Sequence, residues 1–531
     1  MKNTFRKALK LLSVVVLAIV TVFVAGIFWP LDVPAPNVRS ERLIVTNAVI
    51  VDVENGVLRK GQDILVENGK IISVSARFGS GRQVESGRQG LAASFEGAQI
   101  VNAAGQYAIP GMFDMHVHSF KMSPSLTHPM FIASGVTAVR DMGGCIGEDD
   151  AWVACATDKR RWNNAVEEGQ MVGPRFDQVT GLQIDGGLAI PNGVDKRLGG
   201  ATPEGARLRV AFDKKRGIDF LKTYTMLPKD SFFALADEAR KKEMYLAGHL
   251  PLAVSAVEAI AAGQRSFEHA FLFIWDCYPN MEAIRAQGDY RAAYTNATRT
   301  ETIEGHDAAL CTNLHQRMIA TGAAYVPTHT TRKLDAFALD ESFRNDVRLK
   351  YVPSPLRMLW LNDADGMAAR AGAGGEKSYK AFYEFGIKQT GVAHRAGVNI
   401  LAGTDAPDSF VFAGLSIKDE LAHFAEAGLS PLDALRTATL NPAKFLGLDG
   451  KAGVIKAGAR ADIVLLRDNP LENVEALASV ETVILAGAVY SRRDLDMMMA
   501  GVENAANSWS MWPKFIWRLV RSPIMRTQFA D

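Results

Sequence analysis

The sequence has almost no net charge, because 59 lysine and arginine residues balance 58 aspartate and glutamate residues and leave a formal charge of +1. A protein that binds polyanions would carry a basic excess, so nucleic acid is not an expected partner. The chain also lacks internal repeats and long low-complexity segments, which argues against repeat architectures. With 531 residues, 48% of them hydrophobic, it is long enough for one large domain and a smaller one.

Cysteine is scarce as well. The four cysteines lack zinc-finger spacing and fall into two local pairs, Cys145 with Cys155 and Cys277 with Cys311. If the domain is exported, an oxidising compartment favours one disulfide within each pair. Four buried thiols are the alternative.

Acidic residues are absent before Asp32, and an uncharged run, Leu11–Pro30, follows four basic residues. As a helix, Leu11–Trp29 would measure roughly 28 Å, close to the hydrocarbon core of a bilayer at about 30 Å. Bulky residues follow directly after Gly26, which favours a retained membrane anchor over a cleaved signal peptide. Because the basic residues precede the run, we expect a single-pass protein of the cell membrane, with a cytoplasmic N-terminus and the rest of the chain on the periplasmic or extracellular side.

Short alternating strands at both ends of the chain flank a long region in which strands alternate with helices. The flanking strands lie within Leu43–Val74, Ala461–Leu466 and Val480–Tyr490 and predict a small β domain built from two segments. The alternation between them predicts a parallel sheet closed into a (β/α)8 TIM barrel. Its eight strand candidates are Ile109–His118, Thr137–Asp141, Phe176–Gln183, Phe220–Thr225, Tyr245–His249, Ser266–His269, Ala324–Thr328 and Asn399–Asp405.

These patterns predict a division of the chain into five segments. The predicted segments are 1–35 for a basic tail and transmembrane helix, 41–108 and 441–495 for the two parts of a composite β-sandwich domain, 109–440 for the barrel, and 496–531 for a C-terminal tail. Within the tail, Ser508–Arg521 combines three tryptophans with basic residues. That segment either rests on the membrane interface or packs its aromatic side chains on the protein.

Two histidines, His116 and His118, stand two residues apart at the end of the first barrel strand. Side chains two apart on a strand point to the same face, and barrel enzymes place their active sites at that end of the strands. The pair can therefore bind one metal ion, although a lone His-x-His also occurs by chance. Asp114 points the same way one step deeper and is expected to support the ligands.

Four more polar residues end other candidate strands. Lys222 lies in the apolar stretch FLKTYT, where an ammonium group is expensive to bury. Its position becomes reasonable if the amine reacts with carbon dioxide to give an anionic carbamate; a lysine that extends to the rim is the alternative. Together with the two histidines they make six such residues on five strands, which is hard to attribute to chance. The four are Lys222, His249, His269 and Asp405.

The sequence resembles the amidohydrolase superfamily and is most similar to its imidazolonepropionase-like and prolidase-like branch. The resemblance covers roughly residues 41–495. It implies two divalent metal ions, with zinc expected from imidazole and carboxylate ligands. It further implies that one ion is held by His116, His118 and Asp405, the other by His249 and His269, with an N6-carboxylated Lys222 between them. The motifs are PGMFDMHVH, GVTAVRD, FLKTYT, AGH, FEH, AGTDAP, LSPLDALRTATLNPAKFLGL and GVIKAGARADIVLL.

Such a centre implies hydrolysis of an amide or peptide bond by a hydroxide between the metal ions, with Asp405 carrying the proton. Dipeptides and N-acyl amino acids are the favoured small-molecule substrates. A cyclic amide, a lactone, or a catalytically silent, membrane-tethered binding protein are the alternatives. Tyr224, two positions after Lys222, either contacts a substrate carboxylate or packs in the barrel. Arg140 and His329 also end strands and either contact substrate or make structural contacts at the rim.

Overall fold

A computed structural model describes residues 2–76, 97–147, 149–187, 190, 194–288 and 294–528. Parts of the predicted segments 1–35, 41–108, 109–440 and 496–531 lie outside the described residues. The strands are β1 Arg42–Asp52, β2 Val57–Glu67, β3 Lys70–Ala76, β4 Gln99–Asn102, β5 Tyr107–Pro110, β6 Met112–Val117, β7 Val136–Asp141, β8 Arg175–Val179, β9 Phe220–Thr223, β10 Tyr245–Gly248, β11 Gln264–Glu268, β12 Ala324–Val326, β13 Asn399–Ile400, β14 Ile463–Leu466, β15 Val480–Leu485 and β16 Ala488–Ser491.

The α-helices are numbered in chain order. They are α1 Lys2–Phe28, α2 Ser123–Leu126, α3 His128–Ala133, α4 Ala156–Glu167, α5 Pro203–Lys215, α6 Lys229–Lys241, α7 Ala256–Ala262, α8 Leu272–Trp275, α9 Met281–Gln287, α10 Asn296–Glu304, α11 Ala308–Thr321, α12 His329–Phe337, α13 Glu341–Arg344, α14 Ser354–Ala396, α15 Ser416–Glu426, α16 Pro431–Thr437, α17 Leu440–Phe445, α18 Arg492–Ala506, α19 Met511–Arg521 and α20 Pro523–Gln528.

The smaller domain joins strands from both ends of the chain. They form one eight-stranded sheet in the order β16–β15–β14–β5–β1–β2–β3, with β4 beside β1. The two chain segments meet where β5 runs antiparallel to β14, with Pro110 opposite Ile463 and Tyr107 opposite Leu466. Fully buried apolar side chains, Leu43 and Ile64 among them, stabilise this sheet through the hydrophobic effect.

Strands β6–β13 form the barrel. They pair in parallel within the groups β6–β7–β8 and β9–β10–β11–β12–β13. The groups are joined by a bridge between Thr180 and Phe220 on one side and one between Val117 and Ala406 on the other. The amide of Met115 also donates a 2.9 Å hydrogen bond to the carbonyl of Ala402. The expected (β/α)8 barrel with a second β domain is therefore confirmed.

The barrel strands end earlier than the sequence predicted. Regular pairing stops at Val326 in β12 and at Ile400 in β13, short of the predicted ends. Three residues just beyond the strands adopt a left-handed backbone conformation: His269 at φ 71°, Thr328 at φ 46° and Asp405 at φ 70°. Residues with side chains rarely accept this conformation. Here it turns each strand end inward, so the side chains reach the mouth of the barrel.

The N-terminal helix α1 is long and apolar. Its stretch Thr4–Phe28 has a mean hydropathy of 2.9 at its most apolar part, and only 6% of that part is buried. By length and composition this helix is able to cross a membrane. A membrane anchor and a signal sequence share these properties.

The four cysteines form two disulfides, Cys145–Cys155 and Cys277–Cys311. The Cα atoms within each pair lie 5.0 and 5.1 Å apart, as disulfide geometry requires. The predicted disulfide within each pair is therefore confirmed, and the alternative of four buried thiols is not. The first bond closes the loop between β7 and α4, and the second ties α11 to the segment after α8.

Candidate metal centre

The residues predicted as metal ligands converge at the carboxyl ends of the barrel strands. Five of them line one cavity of about 590 Å³. The sixth, His116, is fully buried at its base, with Nε2 3.0 Å from Oδ1 of Asp405. The five that line the cavity are His118, Lys222, His249, His269 and Asp405.

One carboxylate lies between three of the imidazoles. Oδ1 of Asp405 is 2.8 Å from Nε2 of His118 and 3.0 Å from Nε2 of His116, and Oδ2 is 3.7 Å from Nδ1 of His269. Although Nε2 of His116 is close to Asp405, the angles at this contact are not those of a hydrogen bond. Nε2 therefore has no hydrogen-bond partner among the described residues. One ligand atom each of His116, His269 and Asp405 lie within 4.8 Å of one another. This donor set fits a divalent cation, which would satisfy the buried nitrogen.

His249 and His269 form the other half of the arrangement. Their Nε2 atoms face each other at 2.9 Å. The second nitrogen of each ring is anchored, because Nδ1 of His249 lies 2.8 Å from Oγ1 of Thr225 and Nδ1 of His269 lies 2.7 Å from Oγ1 of Thr328. Burial lowers the pKa of both imidazoles well below the usual value. Both rings are therefore neutral near pH 7, the form in which histidine binds metals.

Lys222 is 3% exposed and lies in the cavity wall. Burial lowers the pKa of its ammonium group, so the neutral amine becomes more accessible. The neutral amine is the form that attacks carbon dioxide. The environment of this side chain therefore fits the predicted carbamate.

Glu268 was missed by the sequence analysis. Its Oε2 lies 3.0 Å from Nδ1 of His116, and its Oε1 accepts a 2.9 Å hydrogen bond from Nη2 of Arg140. Burial would raise the pKa of Glu268, but the neighbouring Arg140 and His116 hold it below the usual value. A carboxylate on the far nitrogen of a ligand histidine fixes both its tautomer and its orientation. The available signal was the sequence FEH itself, in which Glu268 immediately precedes His269.

Arg140 and His329 are not among the residues that line the cavity, and both make structural contacts, one of the two roles that the sequence left open. Arg140 points into the barrel one layer below the mouth, where it is fully buried and neutralises Glu268. His329 begins α12, and its Nε2 lies 2.9 Å from Oγ1 of Thr390. Its backbone amide donates to Oε1 of Glu420 at 2.9 Å. Strand position alone does not say in which layer of the barrel a strand-end side chain lies.

Tyr224 does lie in the cavity wall. The centre of its ring is 4.2 Å from that of His249, so it is beside the candidate ligands without joining them. Burial raises the pKa of the phenol to about 12. Tyr224 therefore keeps its proton at neutral pH and can donate a hydrogen bond.

Two glycines leave room for the ligand histidines, and Asp114 supports the ligand Asp405 through hydrogen bonds. A Cβ at Gly143 would lie 2.6 Å from Nδ1 of His118, and one at Gly403 would lie 3.0 Å from the backbone nitrogen of His116. Asp114 accepts hydrogen bonds from the backbone and the hydroxyl of Thr404, at 2.9 and 2.6 Å. Asp114 thus fixes the turn that presents the neighbouring Asp405, in agreement with the supporting role expected for it.

The upper wall of the cavity comes from segments for which no role was predicted. The term upper wall denotes six apolar residues above the ligands together with Arg332 of α12. The guanidinium of Arg332 lies 4.7 Å from the centre of the ring of Phe271. The helix α14 contributes two of the apolar residues, and the chain after α19 contributes two more. The six are Phe120, Trp152, Leu356, Trp360, Ile524 and Met525.

Comparisons with known proteins agree with this architecture. The Amidohydrolase family model matches residues 386–489. An imidazolonepropionase from Rubrobacter xylanophilus is 44% identical over 72 residues, 13% of this chain and 17% of that enzyme. The chain spans at most 32% of the length of the curated relatives it matches.

Solved structures are similar over much more of the chain. A Xaa-Pro dipeptidase with methionine bound in its active site aligns with a TM-score of 0.56 and 20% identity, over 85% of this chain and 100% of that one. A bottromycin amidohydrolase aligns with a TM-score of 0.65 and 21% identity, over 88% and 91%. The predicted resemblance is confirmed: the chain has the amidohydrolase fold, and residues 386–489 carry the sequence pattern of the Amidohydrolase family.

Proposed function

We propose that this protein is a membrane-anchored, binuclear metal-dependent hydrolase that cleaves the amide or peptide bond of a dipeptide or an N-acyl amino acid. The observation that carries the proposal is the convergence of six donor residues on one cavity. Each of three buried imidazoles has its far nitrogen anchored, His116 by Glu268, His249 by Thr225 and His269 by Thr328. Such anchoring orients imidazoles for metal binding.

In this proposal His116, His118 and Asp405 would hold one cation, and His249 and His269 would hold the other. Lys222, if carboxylated, would supply an anionic oxygen ligand to the pair. Zinc suits this mixture of imidazole and carboxylate donors. Two such cations would activate a water molecule as nucleophile and polarise the carbonyl group of the substrate.

Asp405 is the group that moves the proton. Burial would raise the pKa of its carboxyl group, but the neighbouring His116 and His118 hold it well below the usual range. The carboxylate is therefore ionised and can accept a proton from the attacking water at Oδ1 or Oδ2. It then delivers that proton to the leaving amine, which must be protonated before it departs.

The cavity also offers groups that suit a substrate carboxylate. Tyr224 keeps its phenolic proton, and Arg332 places a guanidinium in the wall of the same cavity. A free carboxylate is present in both dipeptides and N-acyl amino acids. The resemblance in fold to a Xaa-Pro dipeptidase is compatible with this substrate class.

Membrane attachment is the second part of the proposal. The helix α1 is apolar, exposed and long enough to span a bilayer, and basic residues precede its apolar part. That charge distribution favours a cytoplasmic N-terminus and an exported catalytic domain. The two disulfides agree with an oxidising compartment.

The proposal is tested by metal analysis of the purified full-length protein coupled to a substrate screen. We expect two divalent ions per chain and hydrolysis of dipeptides or N-acyl amino acids. Cleavage of lactones or cyclic amides alone would replace the proposed substrate class. Absence of both metal and hydrolysis under all conditions would favour a binding protein that retains the fold.

A further inference from the structure

The helix α19 exposes an apolar stripe on its outer side. Trp512, Ile516 and Val520 follow one another at four-residue spacing and are 41%, 41% and 58% exposed. Residues four apart lie on the same face of a helix. Trp517 beside them is exposed as well. A contiguous stripe of large apolar side chains marks a surface that another apolar phase covers.

The inner side of α19 is fixed to the barrel domain. Met511 and Phe515 are buried, and the ring of Phe515 meets that of Trp152 edge-on at 5.0 Å. Arg518 donates a 2.8 Å hydrogen bond to the carbonyl of Ala151. The helix is therefore a rigid part of the domain surface, and its outer stripe has a defined direction.

One end of α19 lies against the end of α1. Lys514 donates a 2.8 Å hydrogen bond to the carbonyl of Ile27. A Cβ at Gly26 would lie only 2.6 Å from the ring of Pro513, and the rings of Trp29 and Trp509 are 5.4 Å apart. If α1 spans a bilayer, the apolar stripe therefore begins at the depth where the spanning helix leaves it.

The residue types around the stripe are those of a membrane interface. Tryptophan is enriched at that depth, and basic residues beside an apolar face attract anionic headgroups. The guanidinium of Arg521 lies 5.2 Å from the ring of Trp517. The sequence has no acidic residue between Glu503 and Asp531, so nothing in this segment repels a negatively charged surface.

The same segment continues into the catalytic cavity. Trp152, which contacts Phe515, lines the cavity, and so do Ile524 and Met525 immediately after α19. Leu356 and Trp360 of α14 extend this apolar lining. The upper wall of the cavity and the exposed stripe are therefore the two sides of one structural unit.

We propose that α19 lies in the interface of the bilayer that α1 spans, and that the cavity hydrolyses long-chain N-acyl amino acids drawn from that bilayer. The inference rests on the proposed amide hydrolysis and specifies its substrate class. The amide and the carboxylate of such a substrate meet the charged base of the cavity, while the acyl chain follows the apolar upper wall towards the lipid. Each methylene group of that chain strengthens its partitioning into the membrane.

The surface is tested with one introduced thiol. All four natural cysteines are in disulfides, so Ile516→Cys in the full chain accepts an environment-sensitive fluorophore at one position. In vesicles of phosphatidylcholine and phosphatidylglycerol we expect a blue-shifted emission that lipid-borne nitroxides quench. The matched control is Val347→Cys, at a residue that is 82% exposed on the barrel domain. Equal quenching at both positions would overturn the proposal, and so would shielding at 516 without quenching, which would indicate a second copy of the chain.

The substrate class is tested in the same vesicles with N-palmitoyl and N-acetyl forms of one amino acid. The variant Ile516→Asp/Val520→Asp should lose about tenfold in kcat/KM on the palmitoyl form, because α19 no longer holds the upper wall of the cavity against the bilayer in which the acyl chain is concentrated. It should keep its activity on the acetyl form, as should the control Val347→Asp on both. Equal activity of the variant and the wild type on the palmitoyl form would overturn the inference. Hydrolysis of neither form by wild type, with quenching at 516 intact, would overturn the proposed function and leave the membrane surface standing.

Discussion

The base and the upper wall of the cavity are built in different ways. The base consists of side chains at the ends of barrel strands, held by buried pairs such as Arg140 with Glu268 and Glu268 with His116. The upper wall consists of loop and helix residues that are far apart in the sequence, among them Trp152, Leu356 and Met525. In the proposed function, the part of the chain that the barrel fixes would carry the chemistry, and the part that the barrel leaves free to vary would set the selectivity.

The two parts should respond differently to substitution. A change in the base weakens the proposed metal centre that stabilises the transition state, so it should lower kcat. A change in the upper wall alters the contacts of the bound substrate, so it should raise KM. The following experiments examine this division, beginning with the largest expected effect.

Replacing the central residue of the base should be the most damaging change. Lys222→Ala removes the proposed ligand between the two ions and should lower metal content towards one ion per chain. Loss of several kcal/mol of metal-borne stabilisation corresponds to about a thousandfold or more in kcat. Elemental analysis and steady-state kinetics measure both effects, with the exposed Lys229→Ala as the control. Full activity with two bound ions would remove Lys222 from the centre.

Loss of the Glu268 carboxylate, which contacts Nδ1 of His116, should lower the affinity for metal. Glu268→Gln keeps the size of the side chain but removes the charge that orients the imidazole. Removal of such a partner typically costs about tenfold to a hundredfold in metal affinity. A competitive chelator titration measures that loss, and Glu204→Gln, a substitution of an exposed side chain, is the matched control. Unchanged affinity would show that His116 is oriented without Glu268.

Tyr224 tests the division differently, because it lies in the cavity wall directly beside the ligand His249. Tyr224→Phe removes one hydrogen bond to a charged group, worth about 1.5–3 kcal/mol, or roughly tenfold to a hundredfold in kcat/KM. We expect this loss on substrates with a free carboxylate and none on neutral esters or lactones. An equal loss on both classes would indicate a packing role. No loss on either class would favour the lactone or cyclic-amide alternative.

The upper wall should show the mildest effect. The disulfide Cys145–Cys155, with a sequence separation of 10, fixes the loop after β7 beside Leu182 and Ile524. The double variant Cys145→Ser/Cys155→Ser should lose about 3 kcal/mol of stability by the chain-entropy account. Because none of the six proposed ligands lies between Cys145 and Cys155, KM should rise while kcat stays close to that of the wild type. A fall in kcat with bound metal intact would contradict the separation of base and wall.

The strand ends could be predicted because the barrel repeats one simple pattern. His116 and His118 share a face by strand alternation, and the motifs around Lys222, His249, His269 and Asp405 belong to strands that alternate with helices. The alternation of side chains along a strand does not predict how deep in the barrel each side chain lies. Arg140 is fully buried one layer below the mouth, and His269 and Asp405 reach the mouth only through left-handed turns. Those facts depend on the closed barrel rather than on any single strand.

The upper wall could not be predicted for a related reason. Its residues come together only through contacts between distant parts of the chain, such as that of Trp152 with Phe515. The helix α14, Ser354–Ala396, carries no motif, yet it delivers Leu356 and Trp360 to the cavity. For the segment Ser508–Arg521, the sequence left packing and membrane contact as alternatives. The structure shows a buried face and an exposed apolar face on the same helix.

The pairing of β5 with β14 has a consequence for folding during translation. Strand β5 is synthesised early, and more than half of the chain is translated before its partner β14 emerges from the ribosome. Until then β5 is an unpaired sheet edge, the kind of surface that recruits other chains into aggregates. A chain stopped after the barrel would keep that edge permanently open. We therefore expect that only the complete chain escapes aggregation. Truncated products should be degraded or should aggregate, even when every residue at the base of the cavity is present.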